Sequence, residues 1–239
     1  MAEALKIDEF DIEFKDEVLS KVPDANFDLC LTCGTCTGGC AASELMDMDP
    51  RKLIRMLNLG MDDEIRKSDW KWVCSMCARC VAACPMKINI PALVLNLRAS
   101  VPREKRPKGI LGSCDQHIRT GSAMGAKKDD FEFTVLDVAE EIQEDHPGFE
   151  DLQVSVDRIG ATMVLNQNSR EPVTEPEEMG PLWKILHMVG ADWTYPSVMW
   201  AGENYCMFMA DLEGWKYIIE EFVHHVDNNL KSPYVVNTE

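Results

Sequence analysis

Hydrophobic positions recur along this chain with two different periods, and the change between them divides it. Residues 7–22 set Phe10, Phe14 and Leu19 among acidic side chains, which reads as a short amphipathic helix. Asp49-Pro50 is a helix start, Leu53, Ile54 and Leu57 keep a helical period, and Gly60 is a stop. Pro91 opens another helix through Leu93, Leu95 and Leu97, and residues 134–143 read as one more. From residue 160 short apolar runs alternate with helical stripes. Residues 161–165 (Ala-Thr-Met-Val-Leu) suit a buried parallel strand, and Leu182, Ile185, Leu186 and Val189 mark a helix ended by Gly190. Residues 192–195 read as a second strand, Leu212, Trp215, Ile219, Phe222, Val223 and Val226 as a longer helix, and residues 233–236 as a third strand. The order β-α-β-α-β implies a parallel sheet.

Composition changes the picture little, charge distribution more. At 239 residues the chain has room for one or two domains of about 150 residues. The net charge of −17 argues against sequence-independent nucleic-acid binding, which draws its affinity from basic residues on phosphates. Residues 1–50 carry 3 basic and 12 acidic side chains, residues 51–128 carry 16 and 6, and residues 129–239 carry 5 and 23. A basic middle thus lies between acidic flanks. No apolar run reaches the length of a membrane span, and the N-terminus lacks the basic and apolar regions of a signal peptide. The expected location is the cytoplasm, at most peripheral at the inner membrane face through a partner. There, ten cysteines point to metal rather than to structural disulfides.

Eight of the ten form two identical runs. Cys30, Cys33, Cys36 and Cys40 read C-x2-C-x2-C-x3-C, and Cys74, Cys77, Cys80 and Cys84 repeat it 44 residues later, followed by Pro85. This is the ligand pattern of bacterial proteins with two [4Fe–4S] clusters, in which the fourth cysteine of each run serves the other cluster. The assignment is therefore Cys30, Cys33, Cys36 and Cys84 to cluster one, and Cys74, Cys77, Cys80 and Cys40 to cluster two. Zinc sites use C-x2-C pairs but rarely add a third cysteine two residues on. Gly34, Gly38, Gly39, Ala78, Ala82 and Ala83 are small enough to let backbone amides approach sulfur. Arg51, Lys52, Arg55, Lys71, Arg79 and Lys87 lie in or beside the runs and would offset the negative charge of thiolate-bound clusters. Ala41 stands where a proline is expected after Cys40.

Small ferredoxins join their runs by a shorter, strand-rich linker, whereas the linker here is helical. The resulting class is α+β overall. It comprises an N-terminal helical arm (1–22), an α-helical dicluster ferredoxin domain (23–100), a connector (101–150) and a partial α/β domain (151–239).

With these residues in hand, the chain resembles the heterodisulfide reductase family of iron–sulfur proteins over roughly residues 25–239. It is similar to subunits that fuse a C-type dicluster domain to a cysteine-rich CCG-type domain, such as the D-type subunit. It is likewise similar to the cytoplasmic iron–sulfur subunit of the sulfite-reductase-associated membrane complex. The likeness rests on the two cysteine runs, on Cys114 with Arg119-Thr-Gly121, and on the strand ending Val235-Val-Asn-Thr-Glu239. The family's first CCG element has a paired cysteine, whereas the matching loop here, residues 200–206, holds Cys206 alone. The resemblance also implies a cysteine-bearing segment directly after Glu239. The expectation is a truncated reading, through a selenocysteine codon taken as a stop, a frameshift or a split gene, and the alternative is a natural short form whose sheet edge a partner subunit covers.

Cys114 reads as lying in a Gly/Ser-rich loop beside Asp115, His117 and Arg119, which makes it the candidate catalytic or ligating thiol. Cys206 reads as a packed small hydrophobe, and His224 and His225 as surface residues. What the resemblance implies is an electron-transfer subunit of a heterodisulfide-reductase-like oxidoreductase, relaying electrons through two [4Fe–4S] clusters. Its partners would be flavin-, cytochrome-b- or CCG-type redox subunits. The alternative is a catalytic thiol/disulfide reductase with a third cluster near Cys114 in a full-length form.

Overall fold

A computed structural model of the chain describes residues 10–11, 13–43, 45–203 and 205–238. Residues 1–9 and 12, part of the helix read over 7–22, lie outside the described residues. The chain divides after Pro107 into two compact units.

The first unit is helical: α1 (Phe14–Lys21), α2 (Thr35–Gly38), α3 (Pro50–Leu59), α4 (Asp62–Lys67), α5 (Trp70–Val73), α6 (Arg79–Ala83) and α7 (Ile90–Ala99). Local chemistry sets the boundaries of the two longest. At α3 the Asp49 carboxylate accepts from Lys52 N at 2.9 Å, Pro50 fills the first turn, and Gly60 ends the helix in the left-handed region at φ 73°. At α7 the Asn89 side chain accepts from Ala92 N at 3.1 Å. Phe14 and Val18 of α1, Leu53, Ile54 and Leu57 of α3, Ile65, Trp70, and Leu93, Val94 and Leu97 of α7 form one core. Trp70 Nε1 donates to the Ala42 carbonyl at 3.1 Å, pinning the chain that follows the first cysteine run to α5.

The second unit contains α8 (Lys108–Thr120), α9 (Lys128–Asp145), β1 (Met163–Asn166), α10 (Arg170–Thr174), α11 (Gly180–Met188), β2 (Trp193–Thr194), α12 (Tyr205–Phe208), α13 (Leu212–His224) and β3 (Tyr234–Asn237). Residues 108–145, read as connector, are thus largely helix and belong to this unit. The strands run parallel in the order β2-β1-β3, with Val164 opposite Thr194 and Val235. Successive strand side chains point to opposite faces. Val164 accordingly packs with Cys114, Cys206, Ile218 and Phe222, while Leu165 packs with Phe131, Val135, Trp183 and Trp200. The sheet therefore sits between α8, α12 and α13 on one side and α9 and α11 on the other, and the class is α+β.

Two carboxylate hubs tie loops to this sheet. Asp157, in left-handed backbone at φ 56°, accepts from Ser197 N at 2.9 Å and pairs with His225 Nε2 at 2.8 Å. His225 is only 5% exposed, which corrects the surface reading: it sits where α13 continues as a π-helix that turns its ring inward. Asp192 accepts from Thr162 N and Thr162 Oγ1, both at 2.7 Å, and from Arg158. The Thr162 hydroxyl and the Arg158 guanidinium hold its carboxyl at about 2, against an ordinary 3.8. A carboxyl depressed in the folded state stabilises above its unfolded value and loses that contribution as pH falls through the folded one. Asp192→Asn should therefore melt lower than the parent chain above pH 4, with the difference closing as pH approaches 2. A gap that stays constant across that window in paired thermal melts would refute this role.

Candidate metal centre

The two cysteine runs share one local backbone pattern. Thr32 and Gly34 flank Cys33 with φ of 56° and 82°, and Met76 and Ala78 flank Cys77 with φ of 56° and 59°. Left-handed backbone costs glycine nothing and other residues appreciably, and strain of this kind collects at ligand clamps. A short helix then follows in each run. Gly34 O accepts from Thr37 N and Gly38 N at 3.0 and 3.1 Å, and Ala78 O accepts from Val81 N and Ala82 N at 2.9 and 3.0 Å. The exit matches too: Cys40 O takes Ser43 N, and Cys84 O takes Lys87 N, both at 3.1 Å. The sequence repeat is therefore a conformational repeat.

That geometry sorts the eight cysteines four and four. Cys30, Cys33, Cys36 and Cys84 line one cavity of about 390 Å³, walled by Ile54, Pro85, Ile88 and Ile90. Cys40, Cys74, Cys77 and Cys80 line a second of about 430 Å³, walled by Pro50, Trp70, Met76 and Pro91. Each cavity thus takes three cysteines from one run and the last cysteine from the other. Four soft sulfur donors around an apolar recess suit iron–sulfur ligation, and the apolar walls limit water at the metal.

The sulfurs differ in access. Cys33 and Cys77 are exposed, Cys84 is buried, and the remaining five are half-buried. Burial pushes the Cys36 and Cys74 thiols up and takes Cys80 to about 11. The hydroxyl of Thr35, 3.4 Å from the Cys33 sulfur, holds that thiol below its ordinary value, and Arg79 N does the same for Cys77. Of the cations picked out from the sequence, Arg51, Lys52, Arg55, Arg79 and Lys87 are exposed and Lys71 is buried. Sequence reasoning passed over Arg98, which is buried against the second run.

Cys114 does not lie in a loop. It sits in α8 with no solvent exposure, bonded to Cys206 of α12, which is 1% exposed. The expectation that none of the ten cysteines forms a disulfide is corrected for this pair: α8 and α12 bring their Cα atoms to 4.8 Å, within disulfide reach. One helical turn on, His117 is fully buried, neither ring nitrogen has a hydrogen-bond partner, and burial pushes its pKa down to about 4. Arg119 is exposed, and Gly121, at φ 83°, accepts from Ala201 N at 3.1 Å.

A family model described as a 4Fe–4S dicluster domain matches residues 26–88. The C subunit of the H2:CoB-CoM heterodisulfide, ferredoxin reductase of Methanothermobacter marburgensis is 34% identical over 84 residues, 35% of this chain and 45% of that protein. The second iron–sulfur C subunit of the CoB–CoM heterodisulfide reductase of Methanocaldococcus jannaschii is 33% identical over 101 residues, 39% and 54% of the two chains. The C subunit of the ferredoxin:CoB-CoM heterodisulfide reductase of Methanosarcina mazei is 31% identical over 91 residues, 37% and 56%. The chain spans about half the length of the curated relatives it matches. Residues 26–88 are a 4Fe–4S dicluster domain, and the chain is an iron–sulfur protein similar to the C subunits of heterodisulfide reductases.

Proposed function

We propose that this chain is an electron-transfer subunit of a heterodisulfide-reductase-like oxidoreductase complex. The observation that carries the reading is the sorting of eight cysteines into two cavities of four. It supports Cys30, Cys33, Cys36 and Cys84 as the ligands of one [4Fe–4S] cluster and Cys40, Cys74, Cys77 and Cys80 as those of the other. Bound there, each cluster supplies one-electron redox chemistry. The protein's own part is to hold the sulfurs, keep the recess apolar and offer cations at its rim. The names of the relatives, subunits of heterodisulfide reductases, support partner subunits. That these are redox subunits of flavin, cytochrome-b or CCG type is what the family resemblance implies. No described helix is long and apolar enough to cross a membrane, so a membrane link would run through a partner on the cytoplasmic face.

Iron and acid-labile sulfide per chain, measured after anaerobic purification, test the proposal. About eight irons with spectra of two [4Fe–4S] clusters are expected from the two four-cysteine sites. Zinc, or iron for one cluster only, would sink it. Appreciably more iron would instead speak for a third site at Cys114, against that residue's bond to Cys206.

A further inference from the structure

The cysteine run is repeated, but the charge around it is not. Among the described residues of the first unit two charged side chains are buried, Lys71 and Arg98, and both are cations. Both sit beside the second run: Lys71 lies in α5, which Cys74 directly follows, and Arg98 in the last turn of α7. Arg98 is 1% exposed. Its Nε donates to the Lys71 carbonyl at 2.7 Å, its Nη2 donates to the Cys74 carbonyl, and its Nη1 lies 3.2 Å from Met76 Sδ. Cys74 and Met76 line the second cavity, so the guanidinium grips the wall of that cavity from behind. Each cavity has one exposed arginine on its lining, Arg51 at the first and Arg79 at the second, so the difference between them is the buried Arg98.

A fixed positive charge favours whichever site gains an electron, and its reach depends on what lies between. In bulk water the interaction is divided by a dielectric constant of about 80, near a protein interior by about 20, and salt screens exposed charges further. Arg51 acts through solvent, whereas Arg98 acts through protein. Iron–sulfur potentials respond to net charge, hydrogen bonding and exposure.

We propose that Arg98 gives the Cys40/Cys74/Cys77/Cys80 site the higher reduction potential of the two and so sets the direction of transfer within the unit. One electron leaves the first site, one arrives at the second, and no proton is required. This rests on the four-and-four ligand assignment proposed above. Arg98 acts as a tuning residue: its contacts are to the backbone and thioether of the ligand loop.

The test is a potentiometric titration of the anaerobic, iron-loaded full chain, read by electron paramagnetic resonance. The signal lost in Cys40→Ala identifies the second site, and that lost in Cys84→Ala the first. In the parent chain the second-site signal should appear first as the potential is lowered. In Arg98→Gln the reduced-to-oxidised ratio of the second site at a fixed potential should fall about tenfold, or 59 mV for one electron, with the first site unmoved. Arg98→Lys, which keeps the charge, should restore most of the difference, and Arg51→Gln should move neither site comparably. Unchanged midpoints in Arg98→Gln, or first-site reduction preceding the second in the parent chain, would overturn the inference. Should Arg98→Gln fail to hold iron, the order of reduction in the parent chain and in Arg98→Lys decides it. If instead Cys40→Ala or Cys84→Ala keeps both signals, or the two variants remove the same one, it is the ligand assignment that fails.

Discussion

Replacing Cys36 by serine should empty the first site of iron and remove much of the helical signal of the first unit. The cavities are not appendages to a finished core. Their walls include Ile54, Ile90 and Trp70, which are among the most buried side chains of that unit. Without metal, four thiols converge on each of two recesses, and the left-handed residues flanking Cys33 and Cys77 keep their conformational cost with nothing to offset it. Metal binding in such a domain is folding free energy. Iron content and a far-ultraviolet circular-dichroism melt measure the effect together. Full iron and an unchanged melt in Cys36→Ser would refute it. The crossed arrangement adds a sharper form. Cys84→Ala should damage the site built on the first run and Cys40→Ala the site built on the second. Each variant losing the cluster of its own run would reverse the assignment.

What could be read from the sequence was whatever local chemistry decides. The spacing of the cysteines carries the cluster chemistry because a cubane's corners must be reached from adjacent turns. Asp49-Pro50 and Gly60 bound α3 because their side chains or lack of one act within four residues. The three parallel strands follow from the short apolar runs. What could not be read depends on contacts across the chain. Gly109, Gly112 and Ser113 made the segment around Cys114 look like loop, yet the buried stripe of Leu111, Cys114 and His117 holds it as helix against weak propensity. In α11 the apolar spacing pointed to Ile185 and Val189 as core, but the fully buried side chain is Trp183, and those two are 59% and 71% exposed. Arg98 passes on sequence as a cation at a helix C-terminus, where such residues favour the dipole. Only the fold reveals that its guanidinium reaches the Cys74 carbonyl.

Breaking the Cys114–Cys206 bond should cost the second unit a large share of its stability. The cross-link spans 92 residues of sequence, and closing a loop of that size removes about 4 to 5 kcal/mol of unfolded-chain entropy on the chain-entropy account. Both sulfurs lie in the core that covers one face of the sheet, with Val164, Met199, Ile218 and Phe222. Reductant opposes any disulfide, but exchange needs a thiolate to reach the sulfur, and here exposure is 0% and 1%. The bond should therefore resist reductant in the folded chain and yield to it only as the unit opens. Removing it in the double variant Cys114→Ala/Cys206→Ala should lower the second unit's transition by about 15 °C, since a kilocalorie shifts Tm by about three to four degrees in a unit of this size. Calorimetry of the iron-loaded full chain gives the transition, and thiol alkylation before and after unfolding reports whether the bond was present. A double variant melting within a degree or two of the parent would show that the pair is no staple, and alkylation of both residues on unfolding without reductant would show that the bond does not form.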